Sequence, residues 1–101
     1  MISVDSITDE EVWITAGVEG RVYYYFTDSS SNPGTRFEEK YDDAREYDYE
    51  SCEENEEIDI NVKNMDYDYL VICVAVTDGS DEIFLAPVVV NLADRTSSAG
   101  S

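Results

Sequence analysis

The sequence contains no histidine, and this absence excludes several kinds of site. Ser-His-Asp and Cys-His nucleophile arrangements both need an imidazole base, and many metal sites need an imidazole ligand. The only cysteines, Cys52 and Cys73, are too few for a structural zinc site without histidine. They could form one disulfide that closes a loop of about 20 residues. They could equally be two free thiols, one buried in a strand and one near a loop.

Basic residues are also scarce: 6 lysines and arginines face 24 aspartates and glutamates, for a formal net charge of −18. A protein that binds nucleic acid needs cationic groups to displace the counterions of the phosphates, so we expect no nucleic-acid partner. An anionic membrane surface would repel the chain for the same reason. No apolar run approaches the ~20 residues that span a bilayer, and Met1–Val4 lacks the pattern of a secretory signal. We therefore expect no membrane insertion.

The length of 101 residues fits one domain, and 43% hydrophobic residues are enough for one modest core. Eight tyrosines and three phenylalanines argue against a disordered chain despite the charge. We assign residues 1–93 to the folded module. Residues 94–101 are mostly small and polar, so we predict a flexible linker or tail there.

Alternation of apolar and polar residues between turn signals predicts about seven strands and a two-sheet antiparallel sandwich. Val12, Ile14 and Ala16 are the predicted inward set of one strand. Pro87 cannot donate a main-chain hydrogen bond, so it belongs at an edge or a break. The predicted strands lie near residues 2–7, 12–16, 21–27, 58–63, 69–77 and 83–92, and residues 47–55 are predicted to be a strand followed by a loop.

A short helix is predicted over residues 36–45. Phe37, Tyr41 and Ala44 have the spacing of one helix face. Thr35 and Glu38 have the spacing of a capping box, in which the side chain of each residue accepts a hydrogen bond from the main-chain N–H of the other. We expect this helix to lie between the two sheets.

Three stretches of the sequence share a further pattern. They are residues 13–24 (WITAGVEGRVYY), residues 32–35 (NPGT) with the helical stretch after them, and residues 65–90 with Tyr69, Val71, Cys73, Ala75, Asp78-Gly79 and Pro87-Val88-Val89-Val90. Together they resemble a fibronectin type III-like or related immunoglobulin-like module of bacterial cell-surface proteins. The resemblance implies an all-β fold, a seven-stranded antiparallel β-sandwich.

The resemblance also implies a function: a non-catalytic structural or adhesive spacer module of a secreted or cell-surface multidomain protein. Its expected contacts are neighbouring modules of the same chain or a protein partner, and we expect a monomer. A sandwich hosts many unrelated functions, so no ligand follows from the fold. The alternative is a specific binding module that uses an acidic face or a tyrosine stripe to hold a basic protein or a Ca²⁺-bridged ligand. A third hypothesis is an acidic decoy that imitates nucleic acid.

Several residues are predicted to have structural roles. Tyr69 is expected to form a tyrosine corner, in which its hydroxyl donates a hydrogen bond to main chain upstream of its strand. The alternative is an ordinary aromatic residue packed in a strand. Its role is structural in both cases. Met65 replaces the leucine that is usual in the resembled family. The remaining predicted structural residues are Val12, Ile14, Tyr24 and Cys73.

Candidate binding residues are aromatic. Trp13, Tyr23 and Tyr25 could form an exposed platform for a sugar ring or a protein partner, because flat aromatic faces suit both. Packing in the core or at an edge is the alternative for all three. We expect no cofactor, with Ca²⁺ as the one exception.

Calcium is a hard cation that takes six to eight oxygen ligands. One candidate group is Asp78, Asp81 and Glu82 in a turn, and another is Asp48, Glu50 and Glu53 with the adjacent Glu54. Asp66 and Asp68 are a third group. None has EF-hand spacing. The alternative is a solvated acidic face that keeps the protein in solution.

Overall fold

The computed structural model describes residues 1–29 and 31–99, and most of these residues lie in β-strands. The β-rich class predicted from the alternation is confirmed. The elements are β1 (Ile2–Ile7), β2 (Glu11–Ala16), β3 (Gly20–Thr27), α1 (Phe37–Asp43), β4 (Tyr47–Cys52), β5 (Glu56–Asn61), β6 (Tyr69–Asp78), β7 (Asp81–Phe84), β8 (Val88–Asn91) and β9 (Thr96–Ala99).

The strands form two antiparallel sheets. A three-stranded sheet has the order β1-β2-β5, and a six-stranded sheet has the order β4-β3-β6-β8-β9, with β7 also paired to β6. One apolar face of each sheet contributes to a shared core, which we call the inner core. The predicted inward set Val12, Ile14 and Ala16 is confirmed, since all three are fully buried there. The other buried members of the inner core are Val22, Phe26, Cys52, Ile58, Ile60, Val62, Leu70, Ile72, Val74 and Val90.

A second apolar cluster, the outer cluster, lies on the opposite face of the six-stranded sheet. Strand β6 is buried at every position from Leu70 to Ala75, so both of its faces need a cover. Helix α1 supplies one cover. Its buried residue Phe37 packs with Tyr23, Tyr25, Val71, Cys73, Ala75 and Val89. The prediction that the helix lies between the sheets is therefore wrong: α1 links two strands of one sheet and packs on the outer face of that sheet.

The start of α1 also differs from its prediction. The residue that precedes the helix is Arg36, in the left-handed region with φ 55°, and no side chain caps the helix through a hydrogen bond. The hydroxyl of Thr35 instead donates to the carbonyl of Asn32 at 2.8 Å. The capping box is absent because Thr35 closes the preceding turn.

Near the C-terminal end of the described residues, the strands differ from those predicted. Pro87 separates β7 from β8, so the predicted strand over 83–92 is two strands, and both pair with β6. Strand β9 lies within the predicted tail and pairs with β8 through Thr96 opposite Asn91. These two differences account for the nine strands in residues 1–29 and 31–99, where the sequence predicts about seven. Residues 100 and 101 of the predicted tail lie outside the described residues.

Candidate functional site

Strand β4 lies at one end of the six-stranded sheet and carries two exposed tyrosines. Residues Tyr47–Ser51, which we call the β4 surface, are all exposed. Strand β3 determines which face each of them occupies. Tyr47 is opposite Tyr25 and Tyr49 is opposite Tyr23, so these tyrosines share the outer face. The residues between them, Asp48 and Glu50, share the inner face with Tyr24 and Val22.

Aromatic rings pack together on the outer side of the β4 surface. The rings of Tyr23 and Tyr49 are stacked with centroids 5.4 Å apart, and the rings of Tyr41 and Tyr47 meet edge to face at 5.2 Å. The Arg21 guanidinium lies over the ring of Tyr49, 5.5 Å from its centroid. Tyr47 and Tyr49 nevertheless remain 55% and 51% exposed. Their rings are thus held in place by neighbours and still offer a face to a partner.

A cleft of about 270 Å³ opens on the inner side of the β4 surface. Burial, followed by the carboxylates of Asp48 and Glu50, raises the pKa of Tyr24 to about 12, so its hydroxyl is neutral. The cleft is smaller than typical small-molecule pockets of about 300–1,000 Å³, and its size suits one side chain of a partner. Its lining residues are Tyr24, Phe26, Glu46, Tyr47, Asp48, Asn61, Lys63 and Met65.

Negative charge is concentrated beside this cleft. Partial burial of its carboxyl group raises the pKa of Glu50, and repulsion from Glu56, Asp48 and Asp59 raises it further. Two of these neighbours belong to β5, the terminal strand of the three-stranded sheet. The end strands of the two sheets therefore bring like charges together, and this arrangement favours a cation nearby.

The main chain of β4 presents an open edge. The Phe26 N–H donates to the Glu46 carbonyl at 3.0 Å, so the main-chain groups of Glu46 point toward β3. By the two-residue period of a strand, the main-chain groups of Tyr47, Tyr49 and Ser51 point away from β3. The Tyr49 N–H accordingly donates to its neighbour's carboxylate, Oδ1 of Asp48, at 2.8 Å. Within the described ranges β4 pairs only with β3.

The three aromatic residues selected from the sequence do not form one platform. Trp13 lies in the three-stranded sheet, whereas Tyr23 and Tyr25 lie in the six-stranded one. Tyr23 and Tyr25 are 8% and 1% exposed, because α1 and Phe84 cover them. The exposed tyrosines are Tyr47 and Tyr49, which sequence reasoning missed. Their alternation with acids inside a predicted strand was the available signal.

Three of the six predicted structural residues are fully buried, and the other three are partly buried. Val12 and Ile14 are fully buried, and Tyr24 and Met65 pack against the same inner core. Tyr69, at the start of β6, packs against the outer cluster. In residues 1–29 and 31–99 no hydrogen bond joins its hydroxyl to upstream main chain, so the expected tyrosine corner is not observed. Cys73 is fully buried, and both cysteines are free thiols.

The candidate calcium ligands do not converge. Asp78 and Asp81 are paired at the end of the β6–β7 hairpin, while Glu82 accepts a hydrogen bond from the Tyr23 hydroxyl at 2.7 Å. Of the other group, Asp48 is engaged by the Tyr49 N–H, and Glu53 lies beyond the end of β4. Among the residues that the structure describes, no three histidine, cysteine, aspartate or glutamate side chains are placed to hold one metal ion.

Two further findings concern membrane-spanning helices and similarity to known proteins. No helix in the described part of the chain is long and apolar enough to cross a membrane. Comparison with protein-family models, with curated proteins and with solved structures finds no match for this chain. The function of the chain is therefore inferred from the β4 surface and its neighbours alone.

Proposed function

We propose that this chain is a non-catalytic β-sandwich module that binds a basic protein partner through the β4 surface. The observation that carries the proposal is the alternation of exposed tyrosines with carboxylates on an open sheet edge. Tyrosine is enriched at protein interfaces, where its ring supplies area and its hydroxyl supplies a hydrogen bond. The carboxylates add electrostatic attraction for a partner of opposite charge.

The partner is a protein rather than a small molecule. The cleft beside β4 holds about 270 Å³, which leaves most of the exposed tyrosine area outside it. A protein surface is large enough to cover the cleft and the exposed tyrosine rings together. Because the chain has a net charge of −18, it would also attract a basic partner from a distance, most strongly at low ionic strength.

The module is of the fibronectin type III-like kind and belongs to a secreted or cell-surface protein. Strand order supports the fibronectin type III-like part of this proposal. The first, second and fifth strands share one sheet, and the third and sixth strands share the other, as A, B and E are separated from C and F in immunoglobulin-like sandwiches. A structural or adhesive spacer is the second candidate function. It is favoured by the three-layer packing, in which apolar residues are buried on both faces of the six-stranded sheet.

Calorimetric titration with poly-L-lysine, a minimal basic chain, tests the binding function. The variant Asp48→Lys/Glu50→Lys reverses two charges on β4, and the matched control Asp66→Lys/Asp81→Lys reverses two exposed charges elsewhere. We expect saturable binding that weakens at least about tenfold in the β4 variant and much less in the control, as for an interface centred on β4. Equal weakening in both variants, or no saturable binding, would contradict the proposal and leave the spacer function.

A further inference from the structure

We propose that the partner segment binds as an additional β-strand on the open edge of β4, in an extended conformation with cationic residues at alternate positions. This inference rests on the proposed function and names the chemistry of its ligand. Extended segments that add to a sheet edge gain affinity from main-chain hydrogen bonds and specificity from alternate side chains. The β4 surface offers both.

The first requirement is a row of unpaired main-chain groups. The bond from Phe26 to Glu46 orients the main chain of β4 so that Tyr47, Tyr49 and Ser51 direct their groups away from β3. One of these donors, the Tyr49 N–H, is held by the Asp48 carboxylate at 2.8 Å. That contact protects the edge in the absence of a partner, and an incoming carbonyl would replace the carboxylate as acceptor.

The second requirement is side chains that specify the segment. A residue added opposite Asp48 shares the inner face with it and lies beside the cleft. A lysine or arginine there would place its cation among the carboxylates of Asp48, Glu50 and Glu56. Partial burial, followed by repulsion from the neighbouring carboxylates, raises the pKa of Glu50. Residues added opposite Tyr47 and Tyr49 share the outer face, where an aromatic or β-branched side chain extends the ring stack.

Charge disfavours a second copy of this chain as the occupant. Pairing β4 with β4 of another copy would place aspartates and glutamates opposite each other, and like charges across strands are destabilising. Strand β5, at one end of the other sheet, also carries acids, but its residues Glu57 and Asp59 alternate with buried Ile58 and Ile60 rather than with exposed tyrosines. The β4 edge therefore differs from β5 in offering aromatic contacts as well as charge.

The probe is the synthetic peptide acetyl-Thr-Lys-Tyr-Lys-Val-Lys-Tyr-Thr-amide, which places lysines on one face and apolar residues on the other. Two methylated forms have the same side chains and the same charge. One carries N-methyl groups on the three lysine amides, and the other carries them on the Tyr-Val-Tyr amides. The direction of the bound peptide decides which set of amides faces β4. In antiparallel addition the Tyr-Val-Tyr amides face it, and in parallel addition the lysine amides do.

We expect one methylated peptide to bind at least about tenfold more weakly than the parent, while the other retains most of the affinity, because only one loses hydrogen bonds. Hydrogen exchange at the amides of Tyr47, Tyr49 and Ser51 should slow when the parent peptide binds. Ser51→Pro, which removes one edge donor, should weaken binding, whereas Ser51→Ala should not. The methylated peptides keep the test valid even where the proline variant fails to fold.

Equal affinity for all three peptides, with no slowing of exchange at β4, would overturn strand addition. If the Asp48→Lys/Glu50→Lys variant still weakens poly-L-lysine binding in that case, the proposed function survives without this mode of binding. If neither poly-L-lysine nor the peptide binds, both fail. Formation of a dimer by the free chain through β4 would also overturn the proposal, since the edge would then accept a second copy.

Discussion

Cys52 and Cys73 are both buried, yet they lie on opposite faces of the six-stranded sheet. Cys52 belongs to the inner core, where its thiol donates to the Val18 carbonyl at 3.4 Å. Cys73 belongs to the outer cluster, where its thiol donates to the Leu85 carbonyl at 2.9 Å. A disulfide would have to pass through the sheet. Of the two alternatives that the sequence leaves open, a disulfide or two free thiols, the fold therefore selects the free thiols.

Thiol reactivity provides the first prediction. Burial raises the pKa of Cys73 to about 12 and also raises that of Cys52, and the thiolate is the reactive form. We expect a thiol reagent to label neither cysteine in the native protein and both after unfolding in guanidinium. Added reductant should leave Tm unchanged. Rapid labelling of the native protein, or a lower Tm under reducing conditions, would show that the cysteines are exposed or bridged.

Gly20 provides the second prediction, because it begins β3 close to the main chain of β6. A Cβ atom built there lies 2.1 Å from the carbonyl oxygen of Ala75, which is main chain and has no room to move. We expect Gly20→Ala to lower the free energy of unfolding by about 3 kcal/mol. Gly17→Ala is the control, since its Cβ meets the Met1 carbonyl at 3.3 Å. Denaturant titration of both variants should show the larger loss at Gly20, and equal losses would contradict the predicted clash.

Local periodicity explains which parts of this fold were predictable. The burial of Val12 and Ile14 follows from the two-residue period of a single strand. The burial of Tyr25 does not follow from this period, because it depends on where helix α1, outside that strand, packs. Strand β9 forms from small polar residues because its main chain pairs with β8, and main-chain hydrogen bonds leave little trace in composition.

The candidate site was predictable only in part, for a similar reason. The concentration of acids around Asp48 is evident in the sequence, and so is the alternation with Tyr47 and Tyr49. That β4 ends a sheet is a property of nonlocal pairing, which no local pattern specifies. An open edge and an aromatic stripe therefore had to be located in the fold before they indicated a binding surface.

Tyr25 provides the third prediction, because its hydroxyl is buried in a hydrogen bond. It donates to the Pro33 carbonyl, and burial raises its pKa to about 12. We expect Tyr25→Phe to cost about 1 kcal/mol of stability, because the carbonyl loses its donor, and Tyr25→Ala to cost about 3–5 kcal/mol. Tyr47→Phe, at an exposed ring, is the control and should change stability by less than about 0.5 kcal/mol. A larger loss of stability in Tyr47→Phe than in Tyr25→Phe, measured by thermal unfolding, would contradict this assignment.

The raised pKa of Glu50 provides the fourth prediction. The folded state holds this proton more tightly than the unfolded state, whose value lies near 4.5. The contribution of Glu50 to stability is therefore present in full below pH 4.5 and is lost as pH rises through the higher folded value. Glu50→Gln should raise stability at pH 7 and reduce the loss of stability as pH rises above 4.5. Glu54→Gln, in the exposed turn after β4, is the control, and an equal reduction there would show that general charge rather than Glu50 is responsible.

Salt dependence provides the fifth prediction, and it separates screening from a calcium site. With a net charge of −18, self-repulsion destabilises the folded chain at low ionic strength, so we expect Tm to rise with NaCl. The rise should be largely complete by about 0.5 M, where the Debye length is roughly 4–5 Å. A flat response would contradict this expectation. High acid content with few lysines is also the composition of a halophilic protein, in which the same rise would be pronounced.

Millimolar Ca²⁺ compared with NaCl of matched ionic strength completes that experiment. A specific site would add RT ln(1 + [L]/Kd) of stability beyond screening. Because Asp78, Asp81 and Glu82 do not converge in the structure, we expect equal rises with the two salts. A larger rise with Ca²⁺ that EDTA reverses would contradict this expectation. Asp78→Asn/Asp81→Asn and Asp48→Asn/Glu50→Gln would then assign the site: the pair of substitutions that abolishes the excess identifies which group of carboxylates rearranges to bind the ion.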